Sequence, residues 1–291
     1  MPSKHPYSIQ ALRLKANDIR QDIIRMLLPA KSGHSAGPLG MADVFTALYF
    51  HSLRHDPKNP KWEERDRVLL SNGHICPVLY ATLAEAGYYD KSLMSGLRQF
   101  GSPLQGHPHL GSLPGIETSS GPLGQGLSQA CGMALAARMG NKKRVFWCLM
   151  SDGEHEEGQV WEAILLAAKY KLGSIVAVMD RNFIQIDGTT EDIMPLEPLA
   201  DKFRSFNWRV VQIDGNDMAA IVKALDEARA HAIAHPDSPP LMIIATTVPG
   251  KGVSFMESKY QWHGKPPNAE EAQAALVELA KEREGILAKK D

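Results

Sequence analysis

An aspartate and an asparagine that each follow an apolar run are the first residues whose spacing suggests chemistry. The run at 145–150 leads into Asp152 and Gly153, and a second run at 175–179 leads to Asn182, thirty positions after the aspartate. This interval suits one helix and a returning strand, which would bring both side chains to one edge of a sheet. A carboxylate, an amide oxygen and a nearby carbonyl are ligands that Mg²⁺ prefers, and the glycine lets an anion approach the backbone. The spacing therefore predicts a site for magnesium and a phosphate group.

Histidines beside glycines form the second group of candidates. Four of the eleven histidines occupy such positions in predicted loops: His34, His74, His107 and His263. Glycine lets the backbone come close to a ligand, and imidazole transfers protons near neutral pH. Taken one at a time, each is better explained as a residue that hydrogen-bonds a neighbouring loop. The other histidines are interpreted as surface or structural residues: His5, His51, His55, His109, His155, His231 and His235.

The apolar patterns predict the elements that position these residues. We expect strands at 68–70, 145–150, 175–179, 210–213 and 241–245, and helices at 8–29, about 41–53, 124–139, 158–171, 217–234 and 269–287. A glycine-rich turn at 33–40 separates the first two helices, and Pro29 ends the first. Strands that are apolar throughout and alternate with helices indicate an α/β fold, a mostly parallel twisted sheet with helices on both faces. Ligands bind beyond the carboxyl ends of such strands.

The composition is ordinary for a globular protein, with 44% hydrophobic and 22% charged residues. A formal net charge of −1 gives no electrostatic basis for binding nucleic acid or an anionic membrane. The three cysteines lack metal-ligand spacing and fit a reducing compartment. No apolar run is long enough to span a bilayer, and the N-terminus lacks the apolar core of a signal peptide. We therefore expect a cytoplasmic protein in which residues 1–291 form a single domain.

The residues around these sites resemble transketolases. The stretch from Asp152 to Asn182 is similar to the thiamine diphosphate (ThDP) binding motif, with departures at Ser151, where glycine is usual, and at Arg181, where asparagine or aspartate is common. Four further segments resemble transketolase sequences in the family's order, at 33–37, 71–74, 106–108 and 117–126. The resemblance extends from about residue 8 to 267. It implies a ThDP-binding, diphosphate-domain fold.

Roles for individual residues follow from the resemblance. It implies that Mg²⁺, for which Ca²⁺ or Mn²⁺ can substitute, binds the side chains of Asp152 and Asn182 and the carbonyl of Ile184. The implied catalytic residues, which surround the reacting hydroxyls of the sugar donor, are His34, His107 and His263. The implied cofactor-binding residues are His74, Gly121, Leu123, Gly153, Glu157, Asn182 and His263.

The acidic residues after the metal motif divide into two pairs. Glu157 and Glu162 match transketolase positions near the dimer interface, so the resemblance implies an acidic network there. Glu154 and Glu156 are explained by the favourable interaction of carboxylates with a helix N-terminus.

The resemblance also implies a partner. In transketolases a glutamate from a second, pyrimidine-binding domain activates the cofactor, and no glutamate of this sequence matches it. The sequence ends at Asp291, twenty-eight residues after His263. We interpret the chain as the N-terminal subunit of a split transketolase, with a separately encoded C-terminal subunit in an α2β2 heterotetramer. Such an enzyme transfers a two-carbon ketol unit from a ketose phosphate, or a related ketose, to an aldose.

Two other interpretations stay open at this point. One is half of another ThDP enzyme, similar to 1-deoxyxylulose-5-phosphate synthase or to a 2-oxo acid dehydrogenase. The other is a non-catalytic relative that keeps the fold. The four histidine segments argue against the dehydrogenase, and the sequence at 262–264 with the short connecting loops favours transketolase. The presence of Asp152, Asn182 and all four histidines argues against a non-catalytic relative.

Overall fold

A five-stranded parallel sheet forms the centre of the protein. The structure is a computed structural model that describes residues 7–288. Its strands are β1 (Arg67–Leu70), β2 (Phe146–Ser151), β3 (Ile175–Arg181), β4 (Ile184–Gln185), β5 (Gly188–Thr189), β6 (Arg209–Asp214) and β7 (Leu241–Thr246). The sheet order is β1-β2-β3-β7-β6, while β4 and β5 pair as a short antiparallel hairpin. Every pairing within the large sheet is parallel, as predicted.

Helices cover both faces of this sheet. They are α1 (Ile9–Ala30), α2 (Ala36–Ala47), α3 (Cys76–Glu85), α4 (Gly126–Met139), α5 (Gly158–Lys169), α6 (Thr190–Ile193), α7 (Leu199–Ser205), α8 (Met218–Ala234) and α9 (Ala269–Ala288). Successive residues of a strand point to opposite faces. Trp147 and Leu149 accordingly join a hydrophobic cluster with α1, α2, α3, α8 and α9, and Phe146, Cys148 and Met150 join a second with α4, α5 and α7. The predicted α/β class is confirmed.

The second helix begins earlier than predicted. The segment 36–40, expected to be part of a glycine-rich turn, is the first turn of α2, and the chain continues beyond it as a π-helical turn at Leu48–Ser52. Pro38 is tolerated there because the first N–H groups of a helix have no intrahelical partner. Gly37 and Gly40 allow close packing. A Cβ atom at Gly37 would lie 2.9 Å from Ile75 Cγ2, and one at Gly40 would lie 3.0 Å from the Val248 carbonyl oxygen.

Other helix boundaries also differ from the sequence expectations. Pro29 lies inside the last turn of α1, which ends at Ala30. Helices α3 and α7 and the β4–β5 hairpin were not predicted. Helix α3 is buried from Cys76 to Ala84, so it lacks the alternation of polar and apolar faces that marks a surface helix. Among residues 7–288, no helix combines the length and apolarity that crossing a bilayer demands.

Candidate functional site

Three imidazole rings meet beyond the carboxyl end of β1. His74 follows β1, His34 precedes α2, and His263 ends a short 3₁₀ turn after β7. The ring centroids of His34 and His74 are 4.8 Å apart, and the centroid of His263 lies 5.4 Å from each of them. Segments far apart in the sequence therefore build one histidine cluster, defined here as His34, His74 and His263.

Burial keeps the histidine cluster uncharged. It lowers the pKa of His34 to about 4, and repulsion from His263 when that ring is protonated, from Arg98 and from protonated His107 lowers it further. Burial also lowers the pKa of His263 to about 4 and places that of His74 well below its usual value. Neutral imidazole carries one donor and one acceptor nitrogen, so these rings can exchange hydrogen bonds with hydroxyl groups at neutral pH.

Several buried polar atoms near the cluster lack a hydrogen-bond partner within residues 7–288. They are Nδ1 of His34, Nδ1 of His263, and both Oδ1 and Nδ2 of Asn72. Nearly all buried polar groups in native proteins are hydrogen-bonded. Asn72 and the cluster therefore fit a polar ligand that approaches between them.

His107 lies outside the three-ring cluster, on a different loop. It is exposed, and a Cβ atom at Gly121 would lie 4.0 Å from its Cγ. Partial loss of hydration on the protein side of the ring, followed by the charge of Arg98, lowers its pKa. Arg98 donates a 2.9 Å hydrogen bond to Ser32 Oγ, and a Cβ atom at Gly106 would lie 2.9 Å from the guanidinium carbon. Arg98 thus joins the loops that carry His34 and His107, a role that no motif in the sequence indicated.

Asp152 stands where β2 ends and is fully buried. Its Oδ1 accepts a 2.8 Å hydrogen bond from the Gly153 N–H, and its Oδ2 accepts one of 2.7 Å from the Phe183 N–H and one of 3.2 Å from Arg181 Nη1. Burial raises the pKa of Asp152, and these donors act against that rise. The loop after β3 therefore wraps directly around the carboxylate.

Asn182 follows β3 and is held on both sides of its amide. Its Nδ2 donates to Asp180 Oδ2 at 2.8 Å, and its Oδ1 accepts from the Ile184 N–H at 3.0 Å. Asp180 is buried, also accepts a hydrogen bond from Thr247, and has a pKa raised by burial to about 7. The structure thus places Asp152, Asn182 and Ile184 at adjacent strand ends.

These residues fit a magnesium ion by the chemistry of their oxygens. Asp152 accepts three hydrogen bonds, fewer than the roughly four that two carboxylate oxygens offer, and Asn182 Oδ1 keeps a second lone pair. Within residues 7–288, no group of three or more His, Cys, Asp or Glu side chains is arranged to hold a metal by itself. A cation would therefore also use carbonyl and ligand oxygens, as Mg²⁺ does beside phosphates.

Glu154 has a role beyond the helix N-terminus at which the sequence interpretation placed it. It stands in a 3₁₀ turn at Gly153–Glu156, just before α5, and is fully buried there. Its carboxylate accepts hydrogen bonds from Ser71 Oγ, from the Gly124 N–H at 2.8 Å and from the Ser151 N–H at 3.0 Å. Glu154 thereby joins the loop after β1, the loop at 121–126 and the end of β2.

The glycine-rich loop at 121–126 passes close to these residues. A Cβ atom at Gly126 would lie 2.4 Å from the Ser71 Cβ, and Gly124 has a left-handed φ of +81°. Gly121 and Leu123 are partly exposed next to this bend. Glu157 is exposed at the start of α5, and its Cβ lies 3.1 Å from where a Cβ on Gly124 would stand; Glu162 is also exposed.

The other described histidines make contacts typical of structural residues. His51 lies 2.9 Å from Asp226 Oδ2, His55 lies 2.9 Å from the Tyr88 hydroxyl, and Nδ1 of the buried His155 lies 2.8 Å from the Ser151 carbonyl oxygen. His5 lies outside the described residues.

Curated proteins of similar sequence match almost end to end. The chain is 38% identical over 278 residues to one subunit of the apulose-4-phosphate transketolase of Phocaeicola vulgatus, covering 96% of this chain and 97% of that protein. It is 41% identical over 271 residues to the 6-deoxy-6-sulfo-D-fructose transketolase subunit SqwG of a Clostridium species, covering 93% and 97%.

Solved structures and a family profile agree with these matches. The crystal structure of transketolase from Campylobacter jejuni superposes with a TM-score of 0.85 at 35% identity, covering 92% of this chain. This chain spans 42% of that transketolase. Residues 9–286 match the profile described as "Transketolase, thiamine diphosphate binding domain". The chain therefore belongs to the transketolase family, as a thiamine diphosphate-binding domain.

Proposed function

We propose that this chain is the N-terminal subunit of a two-chain transketolase that transfers a two-carbon ketol unit from a ketose phosphate, or a related ketose, to an aldose. One observation carries the proposal: the histidine cluster and the Asp152 loop converge at one end of the sheet, in a chain that matches single transketolase subunits over 97% of their length. Residues 1–291 act as one ThDP-binding domain.

ThDP and the metal would be held at the carboxyl ends of β1, β2 and β3. Asp152, Asn182 and the carbonyl of Ile184 would hold Mg²⁺, for which Ca²⁺ or Mn²⁺ can substitute, and His74, His263 and Gly153 would hold the diphosphate. Gly121 and Leu123 would contact the rings, and Glu157, which lies beside Gly124, would border the cofactor. The orphaned polar atoms of Asn72 and the hydrogen bonds that fix Asp152 and Asn182 support this assignment.

The histidines handle the hydroxyl groups of the sugar. When bound, ThDP supplies a nucleophilic thiazolium carbon for cleaving the ketose. His34, His107 and His263 contact the donor's hydroxyls, where a neutral imidazole can accept a proton and return it. Their low pKa values support this assignment, because an uncharged ring presents both an acceptor and a donor near pH 7.

A second subunit completes the site. Apolar side chains stand exposed beside it: Ile186, whose Cδ1 would lie 2.8 Å from a Cβ atom at Gly264, is 57% exposed, and Phe183 is 39% exposed. Exposed apolar residues around a polar site suit a protein interface. The second subunit carries the pyrimidine-binding domain, and the assembly is an α2β2 heterotetramer. The three cysteines are buried free thiols, which fits the cytoplasm.

Reconstitution tests the proposal. The purified chain is expected to show no turnover with apulose-4-phosphate, 6-deoxy-6-sulfo-D-fructose or fructose-6-phosphate as donor, even with Mg²⁺ and ThDP. Adding a separately encoded subunit with the pyrimidine-binding domain is expected to produce ketol transfer from one of them. The matched control is the same mixture made with the Asp152→Ala chain. Turnover by the chain alone, with any second subunit excluded by mass spectrometry, would contradict the two-chain assignment.

A further inference from the structure

Arg181, which departs from the usual ThDP motif, is a buried guanidinium at the metal site. Its side chain is only 2% exposed although it stands at the end of β3. Nη1 donates to Asp152 Oδ2 at 3.2 Å, and the guanidinium carbon lies 3.9 Å from the centroid of the Phe183 ring. It thus pairs with the carboxylate assigned to the cation.

Two acidic residues hold Arg181 from the solvent side. Nη2 donates to Glu191 Oε1 at 2.6 Å and to Glu197 Oε1 at 2.9 Å, and Nη1 also donates to Thr190 Oγ1 at 2.9 Å. The Glu191 and Glu197 side chains are 35% and 54% exposed, so water weakens their attraction to Arg181 without removing it. Asp152 is only 1% exposed, so its interaction with Arg181 is screened much less.

The ion pair changes what a cation meets at this site. Without diphosphate, a divalent cation that binds Asp152 is repelled by the positive charge of Arg181, which already offsets the charge of the carboxylate. A diphosphate brings several negative charges and further oxygen ligands, so it compensates Arg181 and completes the coordination of the metal. Cation and diphosphate should therefore each strengthen the binding of the other, and such coupling is reciprocal.

We propose that Arg181 is a positioning residue that makes divalent-cation binding at Asp152 depend on the diphosphate. The proposal rests on the metal site assigned under the proposed function. Without Arg181, Asp152 keeps its hydrogen bonds from the Gly153 and Phe183 N–H groups but loses the competing charge. The cation should then bind more tightly without diphosphate, and the coupling should shrink.

The test measures Mn²⁺ binding to the full chain by electron paramagnetic resonance, with and without ThDP, after correction for Mn²⁺ bound by free ThDP. For Arg181→Gln we expect Mn²⁺ affinity without ThDP to rise about tenfold or more, which is about 1.4 kcal/mol. The ratio of affinities with and without ThDP should fall by a similar factor. Arg181→Lys keeps the charge and should retain most of the coupling, and Arg25→Gln removes an exposed charge on α1 and should change neither quantity.

A second variant should change the Mn²⁺ affinity in the opposite direction while keeping Arg181. Glu191→Gln with Glu197→Gln leaves Arg181 less compensated, so Mn²⁺ should bind more weakly without ThDP. This variant tests the proposal even where Arg181→Gln fails to fold. Unchanged Mn²⁺ affinity in a folded Arg181→Gln chain, or in the double variant, would overturn the proposed role of Arg181 but not the metal assignment. If Asp152→Asn leaves the Mn²⁺ affinity of the parent chain unaltered with and without ThDP, both this inference and the metal assignment fall.

Discussion

The two halves of the site differ in how completely the chain satisfies its own polar groups. On the metal side, Asp152 and Glu154 each accept three hydrogen bonds from the surrounding loops. In the histidine cluster, buried nitrogens of His34 and His263 have no partner within residues 7–288. Folding alone therefore fixes the two carboxylates of the metal side, although the buried Nε of Arg181 beside them also lacks a partner within the described residues. The histidine side keeps hydrogen-bonding capacity that suits a sugar.

The largest effect is expected on the metal side. Asp152→Ala should abolish cation-dependent ThDP binding, because it removes the only anionic side chain among the assigned ligands. Asn182→Ala should weaken binding less, because it removes a neutral oxygen. Isothermal titration calorimetry with and without Mg²⁺ measures both. Asp201→Ala, which removes an exposed carboxylate on α7, is the control. Unaltered ThDP affinity in both Asp152→Ala and Asn182→Ala would show that the ion binds elsewhere.

On the histidine side, turnover should fall while stability is retained. General acid–base assistance is worth about 10²–10⁴-fold in rate, or roughly 3–5 kcal/mol, whereas a lost hydrogen bond costs about 0.5–1.5 kcal/mol of stability. We therefore expect His107→Ala and His263→Ala to melt within a few degrees of the parent in the reconstituted enzyme and to lose most activity. His263→Ala should also raise the ThDP requirement. His235→Ala, at an exposed position, is the control. Near-parental turnover of both His107→Ala and His263→Ala would show that these two histidines only stabilise their loops.

The contrast between the two halves also explains what the sequence could predict. The interval from Asp152 to Asn182 reflects a β-α-β unit, so local patterning sufficed to place both residues at one sheet edge, where Phe183 now contacts Asp152. The histidine segments were recognised through family resemblance, because nothing in their local sequence fixes which loops meet.

Residues that act through distant contacts were missed. Glu154 is bonded to Ser71 and Gly124, which lie 83 and 30 positions away, so its local surroundings suggested only a helix N-terminus. Arg98 joins two loops with no motif of its own. Tertiary packing, which the pattern of neighbouring residues does not encode, sets both roles.

Substitutions of Glu154 should lower both the stability of the chain and its affinity for ThDP in graded steps. Glu154→Ala removes all three hydrogen bonds and leaves buried donors unpaired, which typically costs about 1–3 kcal/mol. Glu154→Gln has one acceptor oxygen in place of two, so it should lose less. Urea unfolding and ThDP titration should give the same rank for both properties: parent, Gln, Ala. Glu156→Ala, exposed two residues along, is the control, and a fully stable Glu154→Ala chain would contradict the joining role.

The smallest expected effect is a pH dependence that belongs to the histidine side. Histidines with depressed pKa values bind protons more readily when unfolded, so stability is present above about pH 6.5 and is lost as the pH falls towards about 4. Each buried histidine should lower the free energy of unfolding by on the order of 1 kcal/mol as the pH falls from 7 to 5.5. Urea unfolding of His34→Gln should show a shallower loss than the parent, with His235→Gln as the control. Equal slopes for parent and His34→Gln would contradict the buried, neutral cluster.

The metal loops and the histidine cluster are proposed to form one cofactor site. A crystal structure of the chain grown with Mn²⁺ and ThDP, read through the anomalous signal of manganese, tests it most directly. We predict a manganese peak within coordination distance of oxygens of both Asp152 and Asn182, with the diphosphate within hydrogen-bonding distance of His74 and His263. Manganese bound away from Asp152, or a diphosphate bound without contact to either histidine, would contradict the account.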